Sequence, residues 1–253
     1  MIYYALGFTI FTWAITALGA ALVFLFKEFN KNLMDAMLGF AAGVMIAASF
    51  FSLLLPAIDL AETLKLTIWL VISAGFLAGG LFLFIGDRLY SKYASKTSDS
   101  LKRVLMLVSS ITLHNIPEGM AIGVAFGSVH YGVEGATLAA AILLAIGIGI
   151  QNFPEGTAVS LPLLREGYSK KKAFFIGQLS AVVEPISAVI GCLLVLKVRI
   201  ILPFLLCFAS GAMIYVVVEE LIPTSQTNEK KDLMALFTLI GFTVMMILDV
   251  FFS

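Results

Sequence analysis

Apolar runs long enough to cross a bilayer follow one another along this chain, with only short polar segments between them: 3–26, 35–57, 66–89, 103–128, 134–164, 171–196, 199–223 and 232–252. A helical span needs about 20 apolar residues. In lipid only helices and closed barrels satisfy their own backbones, and these runs lack the period-2 alternation of a barrel. The expected fold is therefore an all-α integral membrane bundle of eight transmembrane helices. Composition agrees. Hydrophobic residues make up 60% of the chain and charged ones 13%, against about 45–50% and 25% in soluble domains. Residues 1–253 are read as one transmembrane domain with no room for a soluble one, and the first run is kept as a helix, since it lacks a signal-peptide cleavage site.

Charge is zero overall but unevenly placed. The segments after runs 1, 3, 5 and 7 hold Lys27 and Lys31; Arg88, Lys92, Lys96, Lys102 and Arg103; Arg165, Lys170, Lys171 and Lys172; and Lys230 and Lys231. That is 13 of 16 basic residues, leaving Lys65, Lys197 and Arg199 for the other face. The positive-inside rule places those four segments in the cytoplasm and both termini outside. Ser91 to Arg103, Ser- and Lys-rich, reads as a solvated linker. Cys192 and Cys207 fall in separate runs without CxxC spacing and read as packing residues.

An internal repeat is visible. Phe40-Ala-Ala-Gly43-Val-Met45-Ile46 in run 2 matches Phe208-Ala-Ser-Gly211-Ala-Met213-Ile214 in run 7, and both runs end in Leu-x-Pro at Pro56 and Pro223. Five crossings apart, the copies run in opposite directions, which is the inverted repeat of many secondary transporters. The expected arrangement is 3+2+3, helices 1–3 and 6–8 around a central pair, 4 and 5. The small-residue faces of runs 2 and 7 can serve internal packing or a homodimer.

The central pair carries the chemistry. His114-Asn115-Ile116-Pro117-Glu118-Gly119 in run 4 is echoed by Gln151-Asn152-Phe153-Pro154-Glu155-Gly156 in run 5. A carboxylate at the bilayer centre costs about 2.5–3.5 kcal/mol, so such a cluster needs a function. His114, Asn115 and Glu118 share one helical face, as do Gln151, Asn152 and Glu155. Pro117 and Pro154 free carbonyls at Leu113 and Ile150 and kink their helices, and Gly119 and Gly156 admit close neighbours. Run 6 adds Glu184 before Pro185. With no intramembrane Lys or Arg to pair these glutamates, a bound divalent cation is the simplest solution, and imidazole with carboxylates suits Zn²⁺ and its neighbours. Met45 and Met213 read as core by default, and His130 as solvated.

These motifs, with Glu184-Pro185 and the Val218-Glu219-Glu220-Leu221-Ile222-Pro223 ending of run 7, resemble the ZIP family of Zrt/Irt-like zinc and iron transporters. The resemblance covers essentially the whole chain. It implies a two-metal centre at mid-membrane: a first site of His114, Glu118, Gln151 and Glu155 with Met45, and a second of Asn115, Glu118, Asn152, Glu155 and Glu184. It further implies Asp59 and Asp249 as an acidic outer funnel, Ser52 and Met213 along the path, and Glu219 and Glu220 on the cytoplasmic exit. Two departures stand out. Asn152 takes the place of an acidic ligand, removing a charge from the second site, and the 91–102 segment lacks the His-rich character of many members, so it has no metal-sensing role.

The expected activity is uptake of Zn²⁺, or of Fe²⁺, Mn²⁺, Co²⁺ or Cd²⁺, through a plasma membrane into the cytoplasm, with the metal as cargo. No catalytic cofactor and no nucleic-acid partner is expected. An intramembrane metalloenzyme is the first rival, but HExxH and a Ser/His dyad are missing. A proton or monovalent-cation pathway through the same carboxylates is the second.

Overall fold

The computed structural model describes residues 1–25, 31–93, 99–133 and 136–252, the side chains of 31, 90–93, 99–107, 110, 114 and 252 excepted. Lys27 and Lys96 of the basic segments lie outside the described residues. Among those described there is helix and no strand. Helix α1 (Ile2–Ala20) passes into a 3₁₀ turn, Ala21–Phe24. Helix α2 (Lys31–Ala48) continues through a π-helical turn, Ser49–Leu54, into α3 (Leu55–Thr63). Next come α4 (Ile68–Tyr93), α5 (Asp99–His130) and α6 (Leu138–Arg165). Helices α7 (Lys170–Leu179) and α8 (Val183–Leu193) are halves of one broken column. Helix α9 (Val195–Val216) runs through a second π turn, Val217–Leu221, into α10 (Ile222–Ser225), and α11 (Lys231–Phe252) follows.

Seven of these stretches are long and apolar enough to cross a membrane, all the columns except α5. Helix α5 is 32 residues long, and its side chains at 99–107, 110 and 114 lie outside the described ones.

Three boundaries differ from expectation. The 91–103 linker shrinks, because α4 continues to Tyr93 and α5 begins at Asp99; the remaining residues, 94–98, lie outside the described part. Helix α6 starts at Leu138, four residues later than the run 134–164, because the Thr137 side chain accepts from Ala140 N at 3.1 Å and caps it there. Lys197 and Arg199 stand on the first turns of α9, not in a loop. Their long stems carry the charge to the surface while the backbone stays helical.

The helices pack in pairs: α2 on α11, α4 on α9, α1 on α6 and α5 on α8, with α5 also meeting α9 and α6 meeting α2. Close approach depends on the repeated glycines. A methyl on Gly43 would overlap the Thr238 carbonyl of α11, and one on Gly211 the Phe76 carbonyl of α4. The small-residue faces of runs 2 and 7 are thus used for packing inside the chain. Cys207 is fully buried and Cys192 nearly so.

Candidate metal centre

Helices α5 and α6 present the two motifs toward each other. Pro117 and Pro154 sit inside helices that continue unbroken. The real break is in the third element, between Leu179 and Val183, where Pro185 falls in the first turn of α8 and needs no backbone donor. There the Glu184 amide turns to Ala181 O, at 3.0 Å. Ser180 O, left without its helical donor, accepts from Asn115 Nδ2 at 3.0 Å. Gly119 lets α8 close on α5, since a methyl there would overlap Glu184 O, and Gly156 does the same for α1 at Thr16 O.

Asn115, Glu118, Gln151, Asn152, Glu155 and Glu184 are all completely buried. Gln151 Nε2 donates to Glu118 Oε1, linking α6 to α5. Asn152 Nδ2 donates to Glu184 Oε1 at 2.8 Å, and Thr12 Oγ1 donates to Glu184 Oε2, linking α6 and α1 to α8. Each of the three amides therefore turns its nitrogen to a protein acceptor. Their oxygens, Asn115 Oδ1, Gln151 Oε1 and Asn152 Oδ1, receive no hydrogen bond among the described residues. A buried acceptor left so costs about 1–3 kcal/mol. Three of them beside buried glutamates make an oxygen-rich donor set suited to a cation. His114 lies on α5 one turn before Glu118, and its side chain is outside the described residues. Among the described residues no three His, Cys, Asp or Glu side chains stand together as a metal cluster.

Residues 94–249 match the family model described as ZIP Zinc transporter. The chain belongs to the ZIP family. It is 36% identical to Zinc transporter ZIP11 of Bos taurus over an alignment of 325 positions, covering 96% of this chain and 95% of that protein. Zinc transporter ZIPB of Bordetella bronchiseptica is 35% identical, with 94% of this chain and 77% of that protein covered. Zinc transporter ZupT of Streptococcus mutans is 33% identical, with 91% and 90% covered.

In this ZIP-family chain the residues expected at the outer mouth also come together. Ser52 donates to Asp249 Oδ1 at 2.9 Å, and both line, with Asp59, Pro56, Ile148 and Leu144, a cavity of about 440 Å³. An adjoining cavity of about 460 Å³ shares Ser52, Asp59 and Leu144 and is also lined by Arg199 and Ala121. Ser52 belongs to the first π turn and Glu219 and Glu220 to the second, so each π turn carries a residue of the expected path. Glu219 is exposed and Glu220 half-buried. Met45 and Met213 are buried members of the main apolar core, and His130 is exposed.

Sequence reasoning missed Thr12 and Arg199. Thr9, Thr12 and Thr16 are all fully buried on α1, and their spacing puts three hydroxyls on one face of an apolar run, a signal present in the sequence. In the sequence Arg199 is only a charge on the less basic face, and its place in a cavity with Asp59 depends on a tertiary contact between α3 and α9.

Proposed function

We propose that this chain moves a divalent transition-metal ion, zinc first, across the plasma membrane into the cytoplasm, as a transporter and not an enzyme. The carrying observation is the set of three buried amide oxygens left open beside Glu118, Glu155 and Glu184. The imidazole of His114 with the glutamates suits Zn²⁺, and also Fe²⁺, Mn²⁺, Co²⁺ and Cd²⁺, and the amide oxygens add neutral donors. The curated relatives are named zinc transporters.

The ion enters through the cavity at Asp59, Ser52 and Asp249. It trades water for His114, Glu118, Gln151 and Glu155, with Met45 at the same site and Met213 beside the path, and leaves past Glu219 and Glu220. Asn115, Asn152 and Glu184, sharing Glu118 and Glu155, form a second, less acidic site, whose Glu184 is already held by Asn152 and Thr12.

In this reading α5 is the eighth span and the array is 3+2+3. The packing pairs support it: exchanging the first three columns for the last three, and α5 for α6, turns α2–α11 into α9–α4 and α1–α6 into α8–α5. The basic residues put both termini outside. Zinc uptake into proteoliposomes tests the proposal. Wild type loads zinc and Glu118→Ala loses most of that flux; equal uptake by the variant removes the centre, and equal flux with all transition metal chelated favours a proton pathway.

A further inference from the structure

Helix α6, which carries Gln151, Asn152 and Glu155, ends in Arg165. That guanidinium reaches across to another part of the bundle. Its Nη1 lies 3.3 Å from Asp35 Oδ1 in the first turns of α2 and 3.5 Å from Thr224 O, and its Nη2 donates to Thr227 Oγ1 at 3.1 Å. The Asp35 side chain is 1% exposed and that of Arg165 25%. Asp35 is itself anchored: Asn228 Nδ2 donates to its Oδ2 at 2.9 Å and to Asn32 Oδ1 at 2.9 Å, while Ser225 Oγ donates to its carbonyl at 2.8 Å. The start of α2 and the turn after α10 are therefore one polar knot, and Arg165 ties the metal-site helix to it. Met34 and Leu38 of α2, Leu161 and Leu163 of α6 and Leu221 of the second π turn are buried together in the main apolar core.

We propose that Arg165 and Asp35 form the closure of the ion path at its Lys- and Arg-rich end, and that ion release requires this bridge to part. The inference rests on the transport reading and its orientation. At the other end Asp59 and Asp249 line a cavity of about 440 Å³, whereas at this end Asp35, Ser225 and Asn228 are buried around the bridge. The guanidinium across the α2–α6 seam both holds the helices together and sets a positive charge in the way of a cation. Parting removes that charge and turns the Asp35 carboxylate toward the departing ion. A buried carboxylate that loses its partner is strongly penalised, so the bridge is either made or replaced by another cation, which makes it a two-position element.

The test uses the full chain in proteoliposomes, with Cys192→Ser, Cys207→Ser and a reporter Ala158→Cys, a fully buried position on α6 between Glu155 and Arg165. A membrane-impermeant thiol reagent is applied from the Arg165 side, and zinc uptake is measured in parallel without the reporter. Arg165→Gln is expected to raise the thiol reaction rate about tenfold. It is also expected to raise KM for external zinc without lowering the maximal rate, because less protein waits in the outward-open state. Arg165→Lys, which keeps the charge but loses the fork, falls between. If Arg165→Gln does not fold, Arg165→Lys and Asp35→Asn carry the same readouts. Folded variants with wild-type thiol rate and KM, or with a lower Tm and maximal rate but an unchanged thiol rate, overturn the closure. If wild type takes up no zinc, the transport reading fails, while the thiol rate still reads the bridge.

Discussion

Thr12 is the residue whose place beside the proposed centre comes from packing alone. Its hydroxyl bonds a carboxylate 172 positions away, from a helix that bears no part of either motif. Partners of this kind that orient a metal ligand are worth about 10–100-fold in metal affinity. Thr12→Val, which keeps the shape, should weaken zinc binding by about tenfold with little loss of fold, as read by isothermal titration of detergent-solubilised protein. Gln151→Ala removes both an open oxygen and the donor to Glu118. It should reduce uptake more than Thr12→Val does, and an intact flux would argue that the first site does not use Gln151. At this scale the sequence was legible wherever a costly polar residue sat in an apolar run: Asn115, Glu118, Gln151, Asn152, Glu155 and Glu184 are all brought to full burial. It was not legible where the residue is ordinary by itself. A threonine in a membrane helix, or the Ser180 carbonyl that takes the Asn115 amide, acquires a role only once helices are set side by side.

Among the elements, the repeat reaches down to backbone irregularity. Both FAxGxMI segments lead into a π turn, at Ser49–Leu54 and Val217–Leu221, and both π turns come just before a proline, Pro56 and Pro223. A proline without an amide leaves a carbonyl unserved one turn back, and the π turn absorbs the mismatch. The apolar pattern gave the helices but not this detail, because hydropathy is blind to which carbonyl lacks a donor. The same blindness leaves the break between α7 and α8 hidden inside the single run 171–196. The glycines of the repeat carry a direct prediction. Gly43→Ala and Gly211→Ala each push a methyl into a neighbouring carbonyl, and each should cost about 1–3 kcal/mol. Thermal unfolding in detergent checks this; a Tm equal to wild type for both would show that the α2–α11 and α4–α9 contacts are looser than described.

For the whole molecule, the proposed transport rests on an asymmetry between two ends. One end holds the acidic cavities of Asp59 and Asp249, and the other the basic segments with the Arg165–Asp35 bridge. Orientation follows from the basic residues alone, so it is separately testable. A protease site fused after the C-terminus should be cut from outside intact cells, and protection there would invert the direction of uptake. The central claim, a divalent ion held between α5 and α6, is most directly tested by anomalous diffraction from zinc-soaked crystals. The account predicts a strong zinc peak bounded by Glu118, Gln151, Glu155 and His114, with weaker or no density between Asn152 and Glu184. A peak confined to Asp59 and Asp249, with none at Glu118 and Glu155, would contradict it.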